Sequence, residues 1–291
     1  MRPIPIHARG DIMRSPVLVH AASICLTAVG VVASSPVAQA AGGFDDFDST
    51  VRIHNCSAAL VRLPGSQDRD KALVLTNGHC VPAGRLNGTE VVVDQAWPSG
   101  SADAQVMSGN EGQMRVVRKI KLERIVYATM NRTDIAVVRT NTTYSQLASA
   151  NVRVRALSTT RPAPGTAVNV PSAYWKTAGL GCAVDAIVPV LREGDWTWND
   201  SMRLAGDSCT GLRPGASGSP MIDDSSGDIV GVVNTVQTGD GPPCSENNPC
   251  EGRNGVTAPA GTTYGQQTWW AAGCFKASAF NPGPACKLPR P

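Results

Sequence analysis

The chain has little charge and few histidines, and each shortage excludes something. Only 17% of its 291 residues are Asp, Glu, Lys or Arg, 26 basic against 23 acidic, and no basic run interrupts them. A balance this close to neutral excludes the electrostatic footprint of a nucleic-acid or membrane-surface binder. Four histidines and no C-x-x-C spacing leave too few ligands for a zinc site, so no metal is expected. Beyond the first 40 residues no stretch is apolar enough to span a bilayer. Helical periodicity is also missing from the body of the chain.

The first 40 residues are of another kind. Arg2, Arg9 and Arg14 precede an apolar run from Val17 to Val32, and Ala38-Gln39-Ala40 follows. A basic start, an apolar centre and a small-residue site form a secretory signal peptide, with cleavage expected after Ala40. Its removal takes Cys25 and leaves Cys56, Cys80, Cys182, Cys209, Cys244, Cys250, Cys274 and Cys286. An even count in an exported chain reads as four disulfides. Nearness in sequence proposes Cys182–Cys209, Cys244–Cys250 and Cys274–Cys286. The expected product is a secreted monomer, with no membrane attachment after cleavage.

From residue 51 onward, short β-branched runs alternate with turn clusters. The runs are 51–54, 58–63, 72–76, 90–93, 114–126, 135–139, 152–157, 166–170, 182–190, 201–204 and 229–233. That rhythm predicts an all-β barrel or sandwich. One helix is expected near the end, from Thr262 as N-cap to Ala272, with Gly273 as its stop. The polar stretch Asn141 to Ser149 is the candidate boundary between two halves. This divides the chain into a signal peptide (1–40), an N-terminal barrel (41–145), a C-terminal barrel (146–260) and a helical, disulfide-linked tail (261–291).

Three stretches carry chemistry. Gly215-Ala216-Ser217-Gly218-Ser219-Pro220 lifts one serine between glycines, so that the N–H groups of Gly215 and Ser217 can converge on one oxygen. Surface turns use the same residues. A serine nucleophile needs a base, and the mature chain offers His54 and His79. His54 lies in a strand, an ordinary structural setting, whereas His79 ends a buried-looking run, Leu73 to Cys80, in a tight turn. Asp134 leads directly into the apolar Ile135 to Val138. A carboxylate there is either a turn cap or the partner of a buried N–H, since burying it alone is costly.

Leu75-Thr76-Asn77-Gly78-His79-Cys80, Thr133-Asp134-Ile135-Ala136-Val137 and Gly215 to Pro220 together resemble the three catalytic motifs of chymotrypsin-like (trypsin-like) serine endopeptidases. The match is closest to the bacterial secreted branch that includes glutamyl-endopeptidase-like and streptogrisin-like enzymes, and it spans about residues 51 to 275. The resemblance implies two six-stranded antiparallel barrels with a cleft between them. It implies a catalytic triad of His79, Asp134 and Ser217, an oxyanion hole from the N–H groups of Gly215 and Ser217, a protein or peptide substrate, and no cofactor. It also implies a Cys56–Cys80 bridge behind the histidine. An α/β-hydrolase would present its triad in another chain order.

The resemblance has departures. Ala216 stands where the animal digestive enzymes carry an aspartate that pairs with a freed N-terminus, so maturation is expected to need signal removal and folding alone. Asn234 occupies the place of a serine that supports the buried aspartate, and its amide can donate likewise. Val236 stands where a glycine commonly lines the first specificity pocket. Two registers remain open for that pocket: either Asp207 lies at its base and selects Arg or Lys, or Gly211 and Leu212 line it and Asp207 is a solvated turn residue. Loss of function through decay usually removes a triad member, and none is missing, but an inactive protease-fold binding protein is the competing reading.

Overall fold

Residues 43–84, 86–209 and 212–291 are described by the structure, a computed structural model. The expected signal peptide and the candidate pocket residue Gly211 lie outside the described residues. Two antiparallel rings, each of six strands, make up most of the protein. Strands β1 (Thr50–Ile53), β2 (Cys56–Arg62), β3 (Lys71–Thr76), β5 (Asp103–Ser108), β6 (Arg115–Thr129) and β7 (Ile135–Thr143) form the first, with β4 (Val91–Ala96) beside it. Their order is β1-β5-β6-β7-β3-β2, and pairing of β1 with β2 closes the ring, while β4 is added outside on β6. Closure leaves no open edge in the ring.

Helix α1 (Tyr144–Ser149) and the two-residue strand β8 (Arg155–Ala156) lead to the second ring. It contains β9 (Ala167–Asn169), β10 (Cys182–Glu193), β11 (Trp196–Ala205), β12 (Pro220–Asp223), β13 (Ile229–Val236) and β15 (Thr263–Gln267), with β14 (Cys250–Glu251) attached to β10. The order β11-β15-β13-β12-β9-β10 closes through β10 with β11. Short strands β16 (Phe275–Lys276) and β17 (Ala279–Phe280) end the chain. The all-β, two-barrel expectation therefore describes the fold.

The expected C-terminal helix is not there. Thr263–Gln267 is strand β15, inserted between β11 and β13, and only a single 3-10 turn, Trp269–Ala271, is helical in that segment. The sixth strand of the second ring thus lies beyond residue 260. All five β15 residues are buried, polar ones included, because cross-strand neighbours on both sides satisfy the backbone. Conversely, the polar stretch after residue 141 contains a true helix. Thr143 caps it by accepting from the Gln146 N–H, and the Gln146 side chain accepts from the Thr143 N–H.

The interior joins the rings. Trp198, Leu191 and Tyr264 of the second ring pack with Val51, Leu60 and Val74 of the first, and Ile222 and Val232 pack with Leu73, Leu75 and Val137. Arg155 adds a polar rivet. It is 5% exposed, and its guanidinium donates to Asp48 O (3.1 Å), Gly227 O (3.0 Å) and Asp45 O (3.2 Å), fastening the first described residues to a turn of the second ring. Burial lowers its pKa to about 10, against the raising effect of Asp48. Disulfides join Cys56–Cys80, Cys182–Cys209, Cys244–Cys250 and Cys274–Cys286. Four such bonds fit an oxidising, extracellular setting. Among the described residues no helix is long and apolar enough to cross a membrane.

Candidate active site

β3 ends at Thr76 and turns at once into the 3-10 turn Gly78–Cys80, which Cys80 ties to the start of β2 through Cys56. The turn must sit against the end of β6, because a Cβ on Gly78 would collide with Thr129 O. Glycine is the residue that fits this close approach. The result brings His79 to Asp134, just before β7. Nδ1 of His79 lies 2.6 Å from Asp134 Oδ2, and the His79 N–H donates to Oδ1 at 3.2 Å. The Asn77 side chain donates to Asp134 O at 2.9 Å.

Asp134 is wholly buried, whereas the His79 side chain is 35% exposed. With a carboxylate on Nδ1, that nitrogen carries the proton and Nε2 is left as the basic atom. Burial works against the imidazolium, but the charge and hydrogen bond of Asp134 outweigh it, with smaller help from Glu193 and Glu246, and the His79 pKa is raised.

Ser217 belongs to the second ring and is sewn to the first. Its carbonyl accepts from Ser57 N at 2.9 Å, and Gly218 N donates to Val233 O at 2.8 Å. Gly218, at φ +79°, rests on Ser57 O and the Thr76 hydroxyl so closely that no Cβ could be added. Gly215, at φ +101°, lies under Tyr174, whose ring carbon would be 2.7 Å from a Cβ. Ala216 N donates to Arg213 O at 2.9 Å, while the N–H groups of Gly215 and Ser217 have no acceptor among the described residues. The Ser217 hydroxyl itself donates to Asn234 O at 3.4 Å.

A small recess opens beside Ser217. Leu212, Val233, Asn234, Thr235, Val236 and Asn247 contribute to its wall. Asp207 does not: it is exposed in the turn before Cys209 and is no part of the lining. Of the candidate pocket residues, Leu212, Asn234 and Val236 line this recess. Asn234 does not support Asp134 either. Its Nδ2 is buried without a partner, and its Oδ1 accepts from Gln266 Nε2 at 3.3 Å. His54, at φ +32° in the turn after β1, lines a separate recess with Arg52, Asp103 and Lys119.

A family model described as a trypsin-like peptidase domain matches residues 64–232, which include His79, Asp134 and Ser217. The chain belongs to the trypsin-like peptidase domain family. Solved structures similar to this trypsin-like peptidase domain include the MamO protease domain from Magnetospirillum magneticum in its apo form, at 14% identity over 76% of this chain and 92% of that one, with a TM-score of 0.42. A Glu endopeptidase is similar at 17% identity over 76% and 85%, TM-score 0.40. Kallikrein-related peptidase 10 is similar at 16% over 77% and 91%, TM-score 0.45. No curated protein matches the sequence significantly.

Two residues of this peptidase domain escaped the sequence. Gln266 of β15 links the halves of the site: it accepts from the Thr133 hydroxyl at 3.2 Å and donates to Ser201 Oγ at 2.9 Å. No motif marks it, since its role depends on β15 being a strand. Glu193 closes β10 and is buried, although an acid before Gly194-Asp195 reads as a solvated hairpin tip. The buried, strand-like run ahead of it was the signal available.

Proposed function

We propose that the protein is an exported serine endopeptidase that hydrolyses peptide bonds through an acyl-enzyme. Ser217 Oγ attacks the scissile carbonyl carbon while His79 Nε2 takes its proton. The carbonyl oxygen becomes an oxyanion held by the N–H groups of Gly215 and Ser217. Collapse of the tetrahedral intermediate breaks the C–N bond, and His79 returns the proton to the leaving amine. Water then attacks the ester with His79 again as base, releasing the acid and restoring the serine. Asp134 holds the imidazole tautomer throughout and stabilises the imidazolium. The observation that carries the reading is the 2.6 Å contact between a wholly buried carboxylate and the Nδ1 of a half-exposed histidine. Residues 41–145 supply base and orienter, and 146–260 the nucleophile.

The narrow recess supports a preference at the first residue on the acyl side. Leu212 and Val236 occupy its wall, and its one charged lining residue, Arg213, lies over the Trp175 ring at 3.6 Å. Such a recess takes a compact, uncharged side chain.

The competing reading, a binding protein with a protease fold, draws on the Ser217 hydroxyl pointing to Asn234 O instead of His79. Catalytic hydrogen bonds in a free enzyme are often long or misaligned and tighten with substrate bound. A peptide library incubated with the mature protein and with Ser217→Ala separates the two. Cleavage lost in Ser217→Ala supports the endopeptidase. Cleavage that survives in that variant, or no cleavage by either protein, sinks it.

A further inference from the structure

Glu193 is 5% exposed and sits at the edge of the candidate site. Its Oε1 accepts from Asn247 N at 3.0 Å, but its Oε2 is buried without any hydrogen-bond partner. Thr235 and Gln237 are each 6% exposed, and Thr235 Oγ1 and Gln237 Oε1 are likewise buried without partners. Residues two apart on an extended chain share a face, so these oxygens lie along one side of β13 and its continuation. Thr235 interacts with the Glu193 carboxylate, and both Thr235 and Asn247 line the recess beside Ser217. Buried polar atoms are nearly always paired, so a carboxylate oxygen and an amide oxygen short of donors, on either side of the Thr235 hydroxyl and beside a cleft, mark a place for a ligand that brings donors.

The electrostatics agree on the sign of that ligand. Both Glu193 and the exposed Glu246 act on the His79 imidazole and favour its charged form. Burial raises the pKa of Glu193, and the Thr235 hydroxyl, the Asn247 N–H and His79 oppose the rise. A carboxylate so placed gains by meeting a second cation. A lysine ammonium brings three donors and an arginine guanidinium five, enough for all three oxygens.

We propose that Glu193, with Thr235 and Gln237, forms a subsite for a basic side chain of the peptide substrate, on the acyl side of the cleaved bond and on the His79 side of the compact recess. This rests on the endopeptidase reading for the identity of the ligand. It gives the role of meeting a substrate cation to Glu193 instead of Asp207, which is exposed and does not line the recess beside Ser217.

The test measures binding separately from turnover. In the full-length mature Ser217→Ala protein, calorimetry compares peptides carrying lysine, in turn at each of three acyl-side positions, with their norleucine counterparts. At one position lysine binds about tenfold tighter, and adding Glu193→Gln brings that ratio close to one. Gln237→Leu, which keeps the carboxylate, lowers the ratio only a few-fold, and thermal melts establish that each variant is folded. A lysine-to-norleucine ratio near one at all three positions, as expected if the oxygens hold only water, overturns the proposal. So does a tenfold ratio that survives Glu193→Gln. Failure of the wild-type protein to cleave any of these peptides counts against the endopeptidase reading alone, because the binding ratio is read without catalysis.

Discussion

Asp134 has no exposed surface, and both of its carboxylate oxygens are taken up by His79, one by the ring and one by the backbone N–H. Removing the charge while keeping the shape leaves the imidazole without its orienting acceptor. Asp134→Asn is therefore expected to lower kcat about 10⁴-fold on any cleaved peptide, with little change in KM. The raised His79 pKa gives the pH dependence its sign. Base catalysis needs the neutral ring, so activity falls as pH drops through a value above the ordinary 6.5. The same shift makes the His79–Asp134 pair stabilise the fold most below the unfolded imidazole pKa, and that contribution is lost as pH rises through the folded value. An NMR titration of His79 in Ser217→Ala checks this, and a midpoint at or below 6.5 would contradict it. At the recess, Val236→Gly should extend cleavage to larger side chains such as Leu and Phe, read as a gain of at least tenfold in their kcat/KM relative to Ala. An unchanged preference would remove Val236 from the wall that sets size.

Among elements, β2 and β3 do the most to place Ser217, because Gly218 rests on Ser57 and Thr76. Gly218→Ala adds a Cβ where backbone already stands and at a φ that L residues avoid, so it is expected to displace the loop and abolish labelling of Ser217 by a serine-directed phosphonate. The N-terminal segment is held differently. Arg155→Ala removes three hydrogen bonds from a charged, buried group and is expected to cost on the order of 3 kcal/mol, measured by denaturant unfolding. Most of these elements were legible in the chain, since β-branched runs such as Ala72 to Thr76 and Ile229 to Val233 both look like strands and are strands. The rest were not, for physical reasons. Thr262, the aromatics and Gly273 compose a locally sound helix signal, but Tyr264 and Gly265 are claimed by pairing with Arg203 and Met202 on one side and Thr235 and Val233 on the other. Tertiary pairing overrides a five-residue propensity. The Thr143–Gln146 capping box was visible in the letters, but it lies in a stretch so polar that it resembles a linker.

Across the whole molecule, His79 and Asp134 stand on one ring and Ser217 on the other, so the candidate site exists only when the rings are packed. Trp198, Tyr264, Val232 and their first-ring partners make that packing continuous. The candidate residues His79, Asp134 and Ser217 stand out in three short motifs because each lies at its own strand end. The surroundings do not: Glu193 and Gln266 acquire their positions only through closure of the second ring. The measurement that bears most directly on the proposed chemistry is active-site labelling of the mature protein by a serine-directed phosphonate, followed by peptide mapping. The expected result is one label per molecule, on Ser217, with none in Ser217→Ala and a large loss in His79→Ala. An unlabelled wild-type protein, or a label on any other serine, would contradict it.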